Sequence, residues 1–119
     1  MYQVEYYLNK RGEQPVSKWL NNIFKSDVAG ASRIDAQIQK LSEHGLKLIN
    51  TNMMKPIIGT DNHLYELIPG AYRIVIYYDS TQSKFILLHG FRKTKRRQDK
   101  EITHARRNLQ KYLSMSVWE

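Results

Sequence analysis

The sequence contains no cysteine among its 119 residues, so disulfide bonds and thiolate metal sites are excluded. This absence fits a reducing compartment. Long apolar runs are also missing, because the longest, IVIYY and FILL, are far too short to cross a bilayer. The first residues, MYQVEYYLNKR, lack the basic-then-apolar pattern of a signal peptide. We therefore expect a cytoplasmic protein with no membrane partner.

The glycine-rich and serine-containing motifs of common enzymes are absent too. The chain has no GxSxG elbow, Walker loop or GxGxxG pattern, so nucleotide hydrolysis and ester chemistry have no support. Asp61, His63 and Glu66 lie close together, but their spacing matches no helical pair of metal ligands. We expect neither a metal site nor a cofactor.

Acidic residues are in deficit, with 11 Asp and Glu against 19 Lys and Arg, which gives a net charge of +8. The excess is concentrated in the stretch HGFRKTKRRQDKEITHARR, where eight basic residues fall between Arg92 and Arg107. A small domain this basic usually binds a polyanion or an acidic protein. An evenly spread charge would indicate only a solvated surface, whereas this clustering favours nucleic acid or a nucleic-acid-bound assembly.

The first half of the chain predicts one strand followed by two helices. YQVEYYL alternates as a strand does, and Pro15 suits the first turn of a helix. Ser26 or Asp27 can cap a second helix, which Gly45 would end. The apolar stripes of the two helices are Val16, Trp19, Leu20, Ile23 and Phe24, then Ile34, Ile38 and Leu41. Such closely spaced helices predict a hairpin.

The second half predicts three strands and a helix after an irregular stretch, residues 46–62. The strands are HLYELI, YRIVIYY and KFILLHGF, and the last two are apolar on both faces, as central strands are. The helix would run from Asp99 to Leu113. The order β-α-α-β-β-β-α predicts a single α+β domain over residues 1–113, with a small, mostly antiparallel sheet and a short tail at 114–119.

Arg73 is the first candidate site residue. It lies between apolar neighbours on a predicted central strand, where an arginine is costly without an anionic partner. One interpretation is an internal salt bridge, for example with Glu66 on the adjoining strand. The other is an anion-binding arginine on an open face of the sheet.

His89, Phe91 and Lys93 alternate and would share one face of the last strand. If Arg73 shares that face, the surface could stack bases on Phe91 and hold phosphates. A single strand histidine is more often a hydrogen-bonded structural residue, and a basic run alone is more often a solvated loop. The combination favours a functional site.

LYELIPGAYRIVIYY and ILLHGFRKTKRRQDKEITHARR together resemble the RelE/HigB toxins of bacterial toxin–antitoxin pairs, particularly their phage-derived Gp49-like branch. The similar region runs from Lys55 to Arg107 and contains LYEL, YRI, LLHGF, a basic pair and the EI..A opening of the last helix. The resemblance implies a RelE-like fold and a metal-independent, ribosome-dependent mRNA endonuclease. It also implies a cognate antitoxin, often of helix-turn-helix type, through which alone the protein would contact DNA.

The resemblance also implies roles for individual residues. Arg73 matches the arginine that holds the scissile phosphate, and Lys93 matches a second basic residue near the reacting phosphate. His89 matches the histidine of LHGF and is a candidate proton carrier. The residues expected to bind RNA or the ribosome are Lys55, Phe91, Arg92, Lys95, Arg96 and Arg97.

Two positions depart from the branch's pattern. Ile68 stands where an arginine usually follows LYEL, so one expected phosphate ligand is missing, and Gln98 stands near the usual proline. Two alternatives therefore stay open. One is a toxin of similar fold that inhibits DNA gyrase, as ParE relatives do, and the other is a non-catalytic RNA-binding or regulatory domain.

Overall fold

The structure is a computed structural model and describes residues 1–59, 63–95 and 98–116. In these ranges five strands form one sheet with helices on both faces. The elements are β1 (Gln3–Tyr6), α1 (Pro15–Ser26), α2 (Val28–His44), a 3-10 helix (Gly45–Asn50), β2 (Met54–Pro56), β3 (Leu64–Leu67), β4 (Tyr72–Asp79), β5 (Lys84–Arg92) and α3 (Asp99–Ser116). The predicted α+β class is confirmed. The strand β2 and the 3-10 helix lie in the stretch expected to be irregular.

The sheet is mixed, with the strand order β1-β5-β4-β3-β2. β1 runs parallel to β5, and the other neighbours are antiparallel. β4 and β5 therefore occupy the centre, as their apolar sequences predicted. Every residue from Phe85 to Leu88 in β5 is buried, because helices cover both faces there.

The helical hairpin α1/α2 covers one face. Asp27 alone links the helices, and its Oδ1 accepts a hydrogen bond of 2.9 Å from the amide of Gly30, the cap that was predicted. Gly45 ends α2 with a φ of 58°, a conformation that favours glycine. The buried members of this core from α1 and α2 are Val16, Leu20, Ile23, Ala31, Ile34 and Leu41.

Gly90 in β5 allows α1 to approach the sheet closely. A Cβ atom at this position would overlap the ring of Trp19, which lies directly against the strand. The same indole ring meets Tyr72 of β4 edge-to-face at 5.9 Å. The glycine of the LLHGF motif is thus a packing residue.

α3 covers the opposite face. Ala105 and Leu109 are buried against Val75, Ile86 and Leu88, and with Ile102 and Tyr112 they form the apolar stripe of this helix. The helix continues past Leu113 to Ser116, and residues 114–116 are therefore helical, not part of a tail. Neither glycine nor proline follows Leu113 to stop the helix there. No helix within the described ranges is both long and apolar enough to cross a bilayer.

Candidate active site

A register shift in β5 sets the position of His89. Val75 pairs with His89 but Ile76 pairs with Leu87, so Leu88 is an extra residue opposite β4. Leu88 packs in the α3-side core while His89 contacts α3 as well, so two consecutive side chains face the helix. The buried Asn108 of α3 donates a 2.8 Å hydrogen bond to the carbonyl of Leu88 and fastens the helix at the shift.

The register places Lys55, Glu66, Val75 and His89 in one row across β2, β3, β4 and β5. Directly opposed residues project from the same face of a sheet. Arg73 pairs with Phe91 two positions along, on that same face. Arg73, His89 and Phe91 therefore share one face, which the sequence had left open, and it is the face that α3 covers.

Arg73 is buried in an internal ion pair. Its Nε lies 3.1 Å from Oε1 of Glu66, and the two side chains are only 9% and 5% exposed. Its Nη1 donates hydrogen bonds of 2.7 Å to the carbonyls of Gly70 and Tyr72. The structure thus has the internal salt bridge, not the arginine on an open face. Arg73 fastens the turn that precedes β4.

This ion pair is close but poorly aligned. Oε1 of Glu66 and Nε of Arg73 are both buried, and neither has a hydrogen-bond partner with acceptable geometry among the described residues. The attraction between the side chains is therefore mainly coulombic. Buried charges that lack aligned hydrogen bonds are costly, so the pair depends on the short distance between its charges.

His89 lies within a cluster that includes two residues of α3. Its Nε2 is 3.2 Å from Oε2 of Glu101. Its ring stacks on His104, with centroids 4.3 Å apart and planes at 10°, and on Phe91 at 5.9 Å. The His89 side chain is 16% exposed, whereas His104 is an exposed residue.

Burial lowers the pKa of His104, and the neighbouring His89 lowers it further, while Glu101 acts in the opposite direction. Sequence reasoning missed Glu101 and His104 as site residues. Their signal was an i, i+3 polar pair interleaved with Ile102 and Ala105 of the apolar stripe. Only the position of the helix against β5 shows that the pair meets His89.

The predicted binding cations that the structure describes are at the surface. Lys55, Arg92, Lys93 and Lys95 are all exposed. The amide of Lys93 donates a 2.8 Å hydrogen bond to the carbonyl of Ala71, within the turn that Arg73 fastens. Arg96 and Arg97 lie outside the described residues.

Arg92 belongs to the other face of the sheet. Its guanidinium carbon lies 5.8 Å from the ring centroid of Tyr72, which packs in the hairpin-side core. The structure therefore separates Arg92 from the row that contains His89, although both residues are at the same end of β5.

Phe91 differs from its expected role. The residue is only 6% exposed and packs in the α3-side core. An open surface for base stacking is thus not present at this ring, because α3 and the neighbouring strand cover it. In the structure Phe91 instead supports the ring of His89.

The loop cluster considered for metal binding is only partly described, and no group of three potential ligands occurs among the described residues. Glu66 is engaged with Arg73, and Asp61 lies outside the described residues.

The family model described as Phage derived protein Gp49-like (DUF891) matches residues 21–110. That span includes β2 to β5 and every residue of the site described above. The chain belongs to this family. No curated protein matches the sequence. Membership of the Gp49-like family is compatible with a toxin of a toxin–antitoxin pair, and the family is related to RelE-type toxins.

Proposed function

We propose that this Gp49-like protein is the toxin of a type II toxin–antitoxin pair and cleaves mRNA on the ribosome. In the proposed reaction the RNA's own 2′-OH attacks the adjacent phosphorus, so no covalent protein nucleophile is needed. The observation that carries the proposal is the position of His89. Its ring contacts Glu101, and its strand position lies in one row with Lys55. It is also at the end of the sheet where the backbone of Lys93 bonds to Ala71.

Lys93 is the proposed stabiliser of the charge that develops on the phosphate. Its backbone is fixed by the bond to Ala71, while its side chain is exposed where a polyanion can approach. A preorganised cation of this kind acts in the transition state, and removing one such donor typically costs on the order of 10²–10³ in rate.

Arg73 acts in this proposal through the turn and not by direct contact with the phosphate. Its bonds to Gly70 and Tyr72 hold the segment that receives the amide of Lys93. The arginine that the resemblance places on the scissile phosphate is therefore a positioning residue here. Lys55 and Lys95 add sequence-independent attraction to RNA or ribosome.

The proposed partners are mRNA, the ribosome and a cognate antitoxin of helix-turn-helix type. An acidic segment of the antitoxin would suit the exposed lysines of this end. The protein would contact DNA only as part of the antitoxin complex.

The test is brief induction without the antitoxin, followed by primer-extension mapping of message ends and by cleavage of mRNA on programmed ribosomes. We expect arrested growth, cleaved messages and rescue by the co-expressed antitoxin. Lys93→Ala should lose about 10²–10³ in single-turnover rate, while the matched Lys10→Ala, remote from the site, should cleave normally. Intact messages with trapped gyrase–DNA complexes would indicate the gyrase alternative, and ribosome binding without cleavage would indicate a non-catalytic domain.

A further inference from the structure

We propose that His104 is a second proton-transfer residue, which works as the base while His89 works as the acid. This inference rests on the proposed RNA cleavage and assigns roles within it. Neither the motif resemblance nor the family match singles out His104. The proposal starts from the parallel stack of the two imidazole rings, 4.3 Å apart.

The two rings differ in exposure, as the acid and the base of a proton-transfer pair can. His89 is mostly covered and is oriented by Glu101, whereas His104 is exposed on the first turns of α3. Because the rings are parallel, with planes at 10°, both can approach one phosphate from the same side.

The charges around the stack favour one proton for the pair. On α3 the neighbours are Glu101, in contact with His89, and the more distant Arg107 and Lys111, which act on His104. On the sheet the neighbouring charges are Glu66 and Arg73, which are paired with each other. A carboxylate in contact with one ring favours an imidazolium there, and that cation disfavours a second proton on the stacked ring.

We therefore assign the acid to His89, whose ring contacts Glu101, and the base to His104, which is stacked on it. His104 takes the proton of the 2′-OH as the O2′–P bond forms. His89 gives its proton to the 5′-oxygen as the P–O5′ bond breaks, through Nδ1 because Nε2 contacts Glu101. The products are a 2′,3′-cyclic phosphate and a 5′-OH, and exchange with water restores both rings.

The first measurement is an imidazole ¹⁵N NMR titration of the purified protein without RNA. In the His89→Gln variant the pKa of His104 should rise towards its ordinary value, because the neighbouring cation is gone. In Glu101→Gln the pKa of His104 should fall further, because the carboxylate that raises it is removed. The resonances of His44 and His63, which are exposed and outside this cluster, serve as internal references for each variant.

The second measurement is single-turnover cleavage on programmed ribosomes across a pH series. His104→Gln should lose the acid limb of the profile and His89→Gln the alkaline limb, each with a rate loss of about 10²–10⁴. A substrate with a 5′-bridging sulfur at the cleaved bond has a leaving group that needs no proton. It should therefore restore His89→Gln but not His104→Gln.

Several results would overturn the assignment. If His104 titrates identically with and without His89, the two rings are not coupled. If they are coupled but His104→Gln keeps both limbs of the profile, the ring only supports His89. If the wild-type protein itself fails to cleave while retaining ribosome binding, the proposed function fails and the catalytic assignment falls with it. That failure is recognisable because it appears without any substitution.

Discussion

The face of the sheet that α3 covers has a polar cluster at each end, and the two clusters differ in how their charges are satisfied. We call Glu66, Arg73, His89, Glu101 and His104 the histidine end. We call Glu5, Asp79, Thr81, Lys84 and Tyr112 the turn end, because it surrounds the connection between β4 and β5.

At the turn end each charged group has partners within the cluster. Asp79 accepts hydrogen bonds from the amide and the hydroxyl of Thr81, at 3.1 and 2.6 Å, and a longer one of 3.4 Å from Tyr112. Lys84 lies 3.1 Å from Glu5 across the β1–β5 pair. These contacts stabilise a tight turn and make the cluster a structural one.

At the histidine end the same kinds of side chain are less completely satisfied. The Glu66–Arg73 pair lacks an aligned hydrogen bond between Oε1 and Nε, and two titratable rings share one stack. Exposed lysines lie at this end of the sheet, in the basic stretch that follows β5. Buried charge alone therefore does not distinguish a functional site from a structural cluster. Unsatisfied hydrogen-bonding groups together with titratable side chains do.

The largest expected effect is on stability, from Arg73→Ala. The substitution leaves the carboxylate of Glu66 buried without its cation, and breaking such a pair typically costs about 3–5 kcal/mol. Urea denaturation should show this loss in the free energy of unfolding. Lys84→Ala at the turn end should cost only about 0–1 kcal/mol, because its partner Glu5 is 37% exposed.

The double substitution Glu66→Leu with Arg73→Met is the matched control for this effect. Replacing both charges by apolar side chains of similar size should recover most of the lost stability, since no uncompensated charge remains. If Arg73→Ala is as stable as the wild type, the buried pair is not the main contribution of this arginine and a direct contact with substrate phosphate becomes the better interpretation.

Much of the fold was predictable because its strongest elements carry regular patterns. The stripe Val16, Leu20 and Ile23 and the apolar strands β4 and β5 each have a clear period, and burial follows it. β2 was missed because it is only three residues long, which is too short to show alternation. It also ends in proline, a residue that is unfavourable in strands.

The site was predictable only in part because its geometry depends on long-range placement. Alternation predicts that His89 and Phe91 share a face, but only the strand pairing shows that Arg73 shares it too. The extra residue Leu88 and the contact between His89 and His104 depend on a register shift and on helix docking, neither of which has a local sequence signal.

A smaller effect is expected at the turn end from Asp79→Asn. Burial alone would raise the pKa of Asp79, but hydrogen bonds from Thr81 and Gln82 outweigh it and hold the pKa below its ordinary value. The native carboxylate therefore stabilises the fold at pH values above its unfolded pKa of about 4, and this contribution is lost as the pH falls through the lower folded value.

At neutral pH the asparagine variant should be less stable by about 1–2 kcal/mol, and the difference should shrink as the pH falls. Urea unfolding over an acid series measures both quantities, with catalytic rate at neutral pH as the functional readout. Cleavage by this variant should be normal. A loss of cleavage without a loss of stability would mean that the turn end is part of the site and that the contrast between the two ends is mistaken.

The smallest expected effect separates binding from reaction. Lys55→Gln with Lys95→Gln removes two exposed cations from the proposed RNA-binding surface, and Lys40→Gln with Lys47→Gln removes two exposed cations beside the carboxyl end of α2. Each phosphate contact contributes about 0.7 to the slope of log affinity against log salt on single strands. The first pair should therefore flatten the slope for ribosome or RNA binding by about 1 to 1.5, whereas the second should leave it unchanged.

The rate at saturation should hardly change in either variant, because uniform binding is not transition-state binding. If both pairs flatten the slope equally, attraction depends on net charge alone and the basic surface at the histidine end has no special part in RNA binding.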